Sequence, residues 1–380
     1  MIRFEEHHQE IREMISDFSD ERIAPGAEHL DESQGLPKDT IAEIADLEML
    51  GLTIPEEHGG AGLDLLSACL VVEEISRNCG STGAILATHL FEGTAAILKL
   101  ADEAGKSRWL PEMASGKTLA TFALAEREAE SDASAIDASA GAEGDGYVIH
   151  GRKTWVMGGM MAGLTTVVAR RGEENLEDLG AFVIDPTAAG CDLEPMQDLL
   201  GLRGAGFCNM NLNGLMMSAD QHLKGSSEGW SAITKVIDTA RLGSAAISLG
   251  VARGAIAHAL EYSSQRKAFG RSIDRFGAIR AMHAEAATAV EGARLLLWRA
   301  AGLVDSGKSA GREVSMANLA AKQASYTATR DAVQILGGNG YSREYPVERA
   351  YRDVQALVPF GGGEDLQKIL VARSMAGVRS

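Results

Sequence analysis

A mainly α-helical chain with a β domain at its centre is what the sequence predicts, from three observations. Alanine is abundant and aromatic residues make up only 5% of the chain, within 45% hydrophobic residues, a mix that suits closely packed helices better than an all-β core. Both ends carry apolar residues at helical spacing. The stretch from about 119 to 228 is instead cut by Gly, Asn and Asp into short strand-like runs. At 380 residues the chain is long enough for two or three domains with substantial cores, and the bounds expected are 1–118, 119–228 and 229–380.

In order along the chain, HQEIREMISDFSDERI places Ile11, Met14, Ile15 and Phe18 on one helical stripe. DTIAEIADLEMLGL reads as a helix that stops near Gly51, and LLSACLVVEEISRNCG as one that ends at Gly80. TGAILATHLFEGTAAILKLA follows as a largely buried helix. The central runs TFALAE, YVIHGRKTWV, TTVVARR, GAFVIDP and CNMNLNG are expected strands, with Asp145-Gly146 as a turn before Tyr147. Long helical periods resume at Gly229, with two more Ala-rich helices over roughly 276–305 and 312–336. A last helix, striped by Leu366, Ile369 and Leu370, begins after a triple glycine.

The formal net charge of -17 argues against a general nucleic-acid binder, because phosphate backbones need a basic surface. The opening MIRFEEHHQEIREM has no apolar signal core, and about 18 uninterrupted apolar residues occur nowhere, so a cytoplasmic protein away from membranes is expected. Cys69, Cys79, Cys191 and Cys208 have no metal-ligand spacing and no disulfide-scaffold density, so free thiols and no metal are expected.

Two stretches suggest a ligand. SSQRKAFGRSI gathers Arg266, Lys267 and Arg271 around Phe269 and Gly270. That island suits a pyrophosphate, and it equally suits a helix C-terminus, where cations face the negative dipole end. In DAVQILGGNGYSREYPVERAYRDV a helix runs into Gly337-Gly338-Asn339-Gly340, where backbone can approach a ligand closely.

Together, RKAFG and QILGGNGY…PVERAYRDV resemble the acyl-CoA dehydrogenase family, with IPEEHGGAGLD, EGDGYVIHGRKTWV and LGLRGAG as further landmarks over nearly the whole chain. The resemblance implies an N-terminal helical domain, a middle β-barrel and a C-terminal four-helix bundle, in a homotetramer or homodimer with FAD between subunits. It implies an acyl thioester of CoA or of an acyl carrier protein as substrate, and an electron-transfer flavoprotein or oxygen as acceptor. Position by position, it sets Arg266, Phe269, Gln334, Gly337, Gly338, Ala125, Ser131, Trp155 and Met157 beside FAD. Ser131, Asp238 and Arg241 fall near the substrate.

The same resemblance exposes departures. VPFGGGEDLQ stands where relatives read YEGT, so Gly361 occupies the place of the glutamate that takes the α-proton. A subclass supplies that carboxylate from an earlier helix, and Ala240 occupies that place. Ala125, Met157 and Gly363 replace three hydroxyl residues expected near the flavin. Glu364 and Asp365 lie close enough in sequence to stand in as a base, although acids are also preferred in a helix's first turn. Asp238 and His89 are further polar groups near the expected acyl path, and His89 equally suits a satisfied core position. The expected activity is α,β-oxidoreduction of an acyl thioester. A thioester lyase, a reductase, a flavin monooxygenase or a silent scaffold subunit without FAD are the alternatives.

Overall fold

The computed structural model describes residues 4–129, 132–172 and 175–377. Its order is helices, sheet, helices, as the patterning predicts. The first group comprises α1 (Glu6–Phe18), α2 (Ala27–Ser33), α3 (Lys38–Asp46), α4 (Leu65–Asn78), α5 (Gly80–Ala87), α6 (Thr94–Leu100) and α7 (Glu103–Ala114). Asp64 and Asp102 cap α4 and α7 by accepting from the backbone N–H groups of Ser67 and Gly105. The segment expected as one buried helix is α5 and α6 joined through a π-helical turn, Thr88–Gly93. Such a turn carries one extra residue and rotates the side chains that follow it.

The middle region holds β1 (Ala120–Ala123), β2 (Ser139–Glu143), β3 (Gly146–Val156), β4 (Leu164–Arg170), β5 (Leu179–Ile184), β6 (Cys191–Pro195) and β7 (Cys208–Ser218). The path is β1-β4-β2-β3-β7-β6, with β5 on β4. Strands β1 and β4 pair in parallel and most other pairs are antiparallel. The β2–β3 hairpin pairs Glu143 with Gly146, so its turn is Gly144-Asp145, one residue before the expected Asp145-Gly146. Gly144 takes the positive φ of that turn, +56°.

The third region is α8 (Trp230–Gln265), a short ribbon of β8 (Lys267–Ala268) and β9 (Arg271–Ser272), then α9 (Gly277–Asp305), α10 (Gly311–Leu336), α11 (Pro346–Leu357) and α12 (Glu364–Met375). Helix α8 is the spine. Gly243, Gly250 and Gly254 share one of its faces, and this is where other backbone comes closest. A Cβ on Gly250 would meet the Glu73 carbonyl oxygen at 2.3 Å, and one on Gly254 the Arg77 carbonyl oxygen at 2.0 Å. Small residues at this spacing let α4 lie directly on α8. The largest core joins α4, α5, the π turn, α8, α9 and α10, and a second core packs α6 and α7 against the sheet. Among the described residues no helix is long and apolar enough to cross a membrane.

Candidate active site

The triple glycine folds back over the middle of α8. Gly361 and Gly362 have φ of +71° and +93°, values that side chains rarely adopt, and this gives the run its physical reason. Arg241 Nε donates to the Gly361 carbonyl oxygen at 2.9 Å while its Nη1 holds Asp238 at 2.8 Å. A Cβ on Gly361 would lie 3.2 Å from Arg241 Cγ. The loop is therefore moulded onto the very helix turn that carries Asp238, Ala240 and Arg241. Burial pushes the Asp238 carboxyl up, and Arg241 and Lys99 of α6 pull it back.

Beneath the loop lies Lys322 of α10, only 1% exposed. Its Nζ donates to the carbonyl oxygens of Phe360 at 2.6 Å and Gly362 at 2.8 Å. Burial, with the nearby Arg241 charge adding to it, brings its ammonium down to about 7. Asn318 donates to the Arg241 carbonyl oxygen and Gln367 to that of Gly361, so the turn is held from three sides.

Neither acid after the glycines serves this loop as a proton acceptor. The Asp365 side chain is 94% exposed and pairs with Lys368. Glu364 accepts from Gln323 at 3.1 Å and also faces Lys368. Both begin α12, where acids offset the helix dipole. His89 is a core residue. Its Nδ1 accepts from the Ala120 N–H at 3.1 Å, which leaves Nε2 to donate to the Leu50 carbonyl oxygen at 3.2 Å. Burial of the ring brings its pKa down to about 4, against the pull of the hydrogen bond to Leu50.

The wall expected to face FAD is built around Trp155. A register shift between Lys153 and Val156 leaves Trp155 at φ +56° with its indole half-exposed. Ala125 is partly buried beside it, its carbonyl oxygen accepting from the Thr154 N–H. Met157 has its side chain buried in the largest core. Ser131 lies outside the described residues. The hydroxyls of Thr88 and Thr154 are buried without partners, and a Cβ on Gly158 would sit 3.3 Å from Thr88 Cγ2.

The other predicted cofactor residues gather at the far end of α8. The basic island is a β ribbon rather than the tail of a helix, which ends at Gln265. Phe269 and Gly270 form its two-residue tip with φ of +51° and +78°. A phenylalanine in that conformation is strained, and here its ring is 96% exposed. Asn339 ties the Gly337–Tyr341 loop to this end by donating to the hydroxyls of Tyr262 and Tyr345. Arg266, Gln334, Gly337 and Gly338 are all exposed here, and a Cβ on either glycine would meet open space.

From Arg241 to the ribbon, α8 rises by about 37 Å, at 1.5 Å per residue. One cofactor cannot touch both ends within one chain. The sequence-predicted residues thus fall into two half-sites. The first combines the glycine loop with Asp238 and Arg241, the second combines the ribbon with the glycine turn, and Trp155 and Ala125 stand apart on the sheet.

Pattern reading misses several buried charges, of which three bear on the argument. Lys322 is one. Lys153, 0% exposed, donates to Glu126 at 2.6 Å and to the Leu124 carbonyl oxygen at 3.0 Å. Glu92, in the π turn, is 5% exposed and has no hydrogen-bond or ion-pair partner among the described residues. Burial pushes its carboxyl up to about 8. A single cluster with metal-ligand character occurs among the described residues, His7, His8 and Asp64. There His8 has both nitrogens engaged, Nδ1 by the Glu5 N–H and Nε2 by Asp64.

Comparison with known proteins matches three domain families to this chain: "Acyl-CoA dehydrogenase, N-terminal domain" over residues 5–117, "middle domain" over 121–215 and "C-terminal domain" over 227–376. The chain is 35% identical over 373 residues to the short-chain specific acyl-CoA dehydrogenase, mitochondrial, of Bos taurus, covering 98% of this chain and 90% of that one. It is 33% identical over 374 residues to the 3-(aryl)acrylate reductase of Clostridium sporogenes, covering 98% and 99%. Among solved structures, butyryl-CoA dehydrogenase from Megasphaera elsdenii superposes with a TM-score of 0.95 at 27% identity, covering 99% of this chain and all of that one.

Proposed function

The chain belongs to the acyl-CoA dehydrogenase family of FAD-dependent oxidoreductases acting on CH–CH groups, and from that premise we propose that it interconverts the saturated and α,β-unsaturated forms of an acyl thioester, within a site shared by neighbouring copies of the chain. The observation that carries this reading is the separation of the two half-sites along α8. The ribbon end displays open glycine backbone and an exposed cation at Arg266, and exposed aromatic faces occur on both sides, at Phe269 and Trp155, as an elongated anionic cofactor needs. A second copy is what brings them together, as a homotetramer or homodimer does.

The residues present fit FAD, with fewer polar anchors than usual. Ala125 and Gly363 have no hydroxyl, and Met157 carries a thioether in place of one. At about 1 kcal/mol for each missing hydrogen bond, FAD is held less tightly than its area suggests. Bound FAD supplies the hydride acceptor or donor. The chain itself does the positioning: Arg241 and Lys322 fix the glycine loop, which presents backbone and no carboxylate at Gly361. Asp238 and Arg241 offer polar groups along the path of the thioester arm.

Incubating the FAD-loaded protein with a panel of acyl-CoA and acyl-carrier-protein thioesters and an artificial electron acceptor tests the reaction class. A product two hydrogens lighter is expected for at least one thioester. Loss of a leaving group or gain of oxygen as the only change would contradict it. A relative that is a reductase favours running the same assay in reverse, with enoyl or arylacryloyl thioesters and reduced FAD.

Phe269→Gly gives a further expected outcome. It removes the exposed ring and relieves the left-handed strain, so the unfolding midpoint of the isolated chain is not lowered. Self-association and FAD retention, read by sedimentation and by flavin absorbance, both drop at least tenfold. Unchanged FAD binding with the ring gone would contradict a site completed by the ribbon.

A further inference from the structure

With Gly361 and Ala240 both lacking an acidic group, the proposed reaction has no proton acceptor at either customary place. A carboxyl occurs close by, on a different element. Glu92 lies in the π turn between two contacts that fix where the turn sits. On one side Thr88, one turn earlier on the same face, lies against Gly158 in the loop after Trp155. On the other, Phe91 packs on α8 at Gly243, where a Cβ would be 3.0 Å from the Phe91 Cβ. Seven residues beyond Glu92, Lys99 on the same helical face is near enough to Asp238 to lower its pKa.

Phe91 on Gly243 and Lys99 near Asp238 lay the π turn along the part of α8 that includes Ala240. Gly243 and Ala240 are about 5 Å apart along the helix axis, a distance a glutamate side chain spans. Glu92 is 5% exposed, and among the described residues its carboxyl has no hydrogen-bond or ion-pair partner. A structural carboxylate at such a place is paired, since leaving one unpaired is costly. A buried carboxyl left without such a partner is available to a ligand.

We propose that Glu92 is the catalytic residue that exchanges the substrate α-proton, replacing the acids missing at positions 361 and 240. In the oxidative direction the Cα–H bond breaks and its proton passes to a Glu92 carboxylate oxygen. The Cβ–H pair leaves as hydride to oxidised FAD, and the Cα=Cβ bond forms. In reduction the protonated carboxyl returns the proton to Cα as reduced FAD gives hydride to Cβ. Its pKa of about 8 makes both forms accessible near neutrality.

The proposal rests on the thioester reading above, and its test separates the two. FAD-loaded protein is mixed in D2O with acetyl-, butyryl-, octanoyl- and phenylpropanoyl-CoA, without electron acceptor, and deuterium at Cα is followed by mass spectrometry. The wild-type chain washes deuterium into at least one of them. Glu92→Gln slows this by 10²- to 10⁴-fold, while FAD binding and the flavin spectral change on adding thioester persist. Glu92→Leu, suited to the same apolar surroundings, serves if the Gln variant does not fold. Adding Ala240→Glu to Glu92→Gln restores exchange to within about tenfold of wild type, as expected of groups facing one point. Exchange by Glu92→Gln at the wild-type rate would overturn the proposal, as would a folded, FAD-loaded double variant that stays inactive. A wild-type chain that exchanges no thioester defeats the thioester reading itself, and the role of Glu92 with it.

Discussion

Replacing Lys153 with methionine is expected to destabilise the protein by about 3–5 kcal/mol, the cost of leaving a buried partner charge uncompensated. The Lys153 ammonium is held down by burial and supported by Glu126. Glu126 in turn accepts from the N–H groups of Asp137 at 2.7 Å and Ala138 at 3.2 Å. One ion pair therefore staples the start of β2 to β3, two residues before the strained Trp155. Lys153→Met strands the carboxylate and frees the backbone at Leu124, Asp137 and Ala138, so FAD retention falls together with the urea midpoint. Adding Glu126→Gln removes the stranded charge and recovers at least half of the loss. A single variant within 1 kcal/mol of wild type would show that the pair is not stapling this wall.

The second large effect is a pH dependence. Glu92 keeps its proton in the folded chain up to about 8, whereas in the unfolded chain it ionises near the ordinary 4.5. Between these values the folded state binds one more proton, so stability falls as pH rises, by about 1.4 kcal/mol per unit. The whole window amounts to about 5 kcal/mol, absent below pH 4.5 and complete above pH 8. Glu92→Gln has no proton to lose. Its stability relative to wild type therefore climbs steadily from pH 5 to pH 8, which urea unfolding at several pH values measures. Parallel curves for the two proteins would contradict a buried, unpaired Glu92. This result is independent of any substrate.

Much of the fold was legible because long helices repeat their signal. The helices expected over 276–305 and 312–336 are Gly277–Asp305 and Gly311–Leu336. Five strands are found close to where alternation and turn residues placed them. Strands β2 and β6 went unseen, since SAGAE and CDLEP lack the β-branched and aromatic residues that mark a strand. The ribbon at Lys267–Ser272 was hidden by its charges, which fit a helix end equally well.

The site was legible as absence more than presence. Family resemblance identified Gly361 and Ala240 as places without a carboxylate, but no local pattern shows where a replacement is buried. Glu92 sits in an apolar helical run where one acid looks like a solvated face, and the π turn that sets its direction leaves no mark in the spacing. Lys322 and Lys153 are hidden in the same way, each an ordinary polar position by period that tertiary packing encloses. Strand alternation likewise does not anticipate the shift between Lys153 and Val156 that leaves Trp155 half-exposed.

The central claim is a cofactor site completed by a second copy of the chain. Titrating purified protein with FAD while recording flavin absorbance across sedimentation boundaries tests it most directly. The account predicts that the flavin travels with the assembled species at one FAD per chain and is lost as the assembly dissociates. Flavin travelling with a monomer, or an assembled protein that stays colourless at saturating FAD, would contradict it.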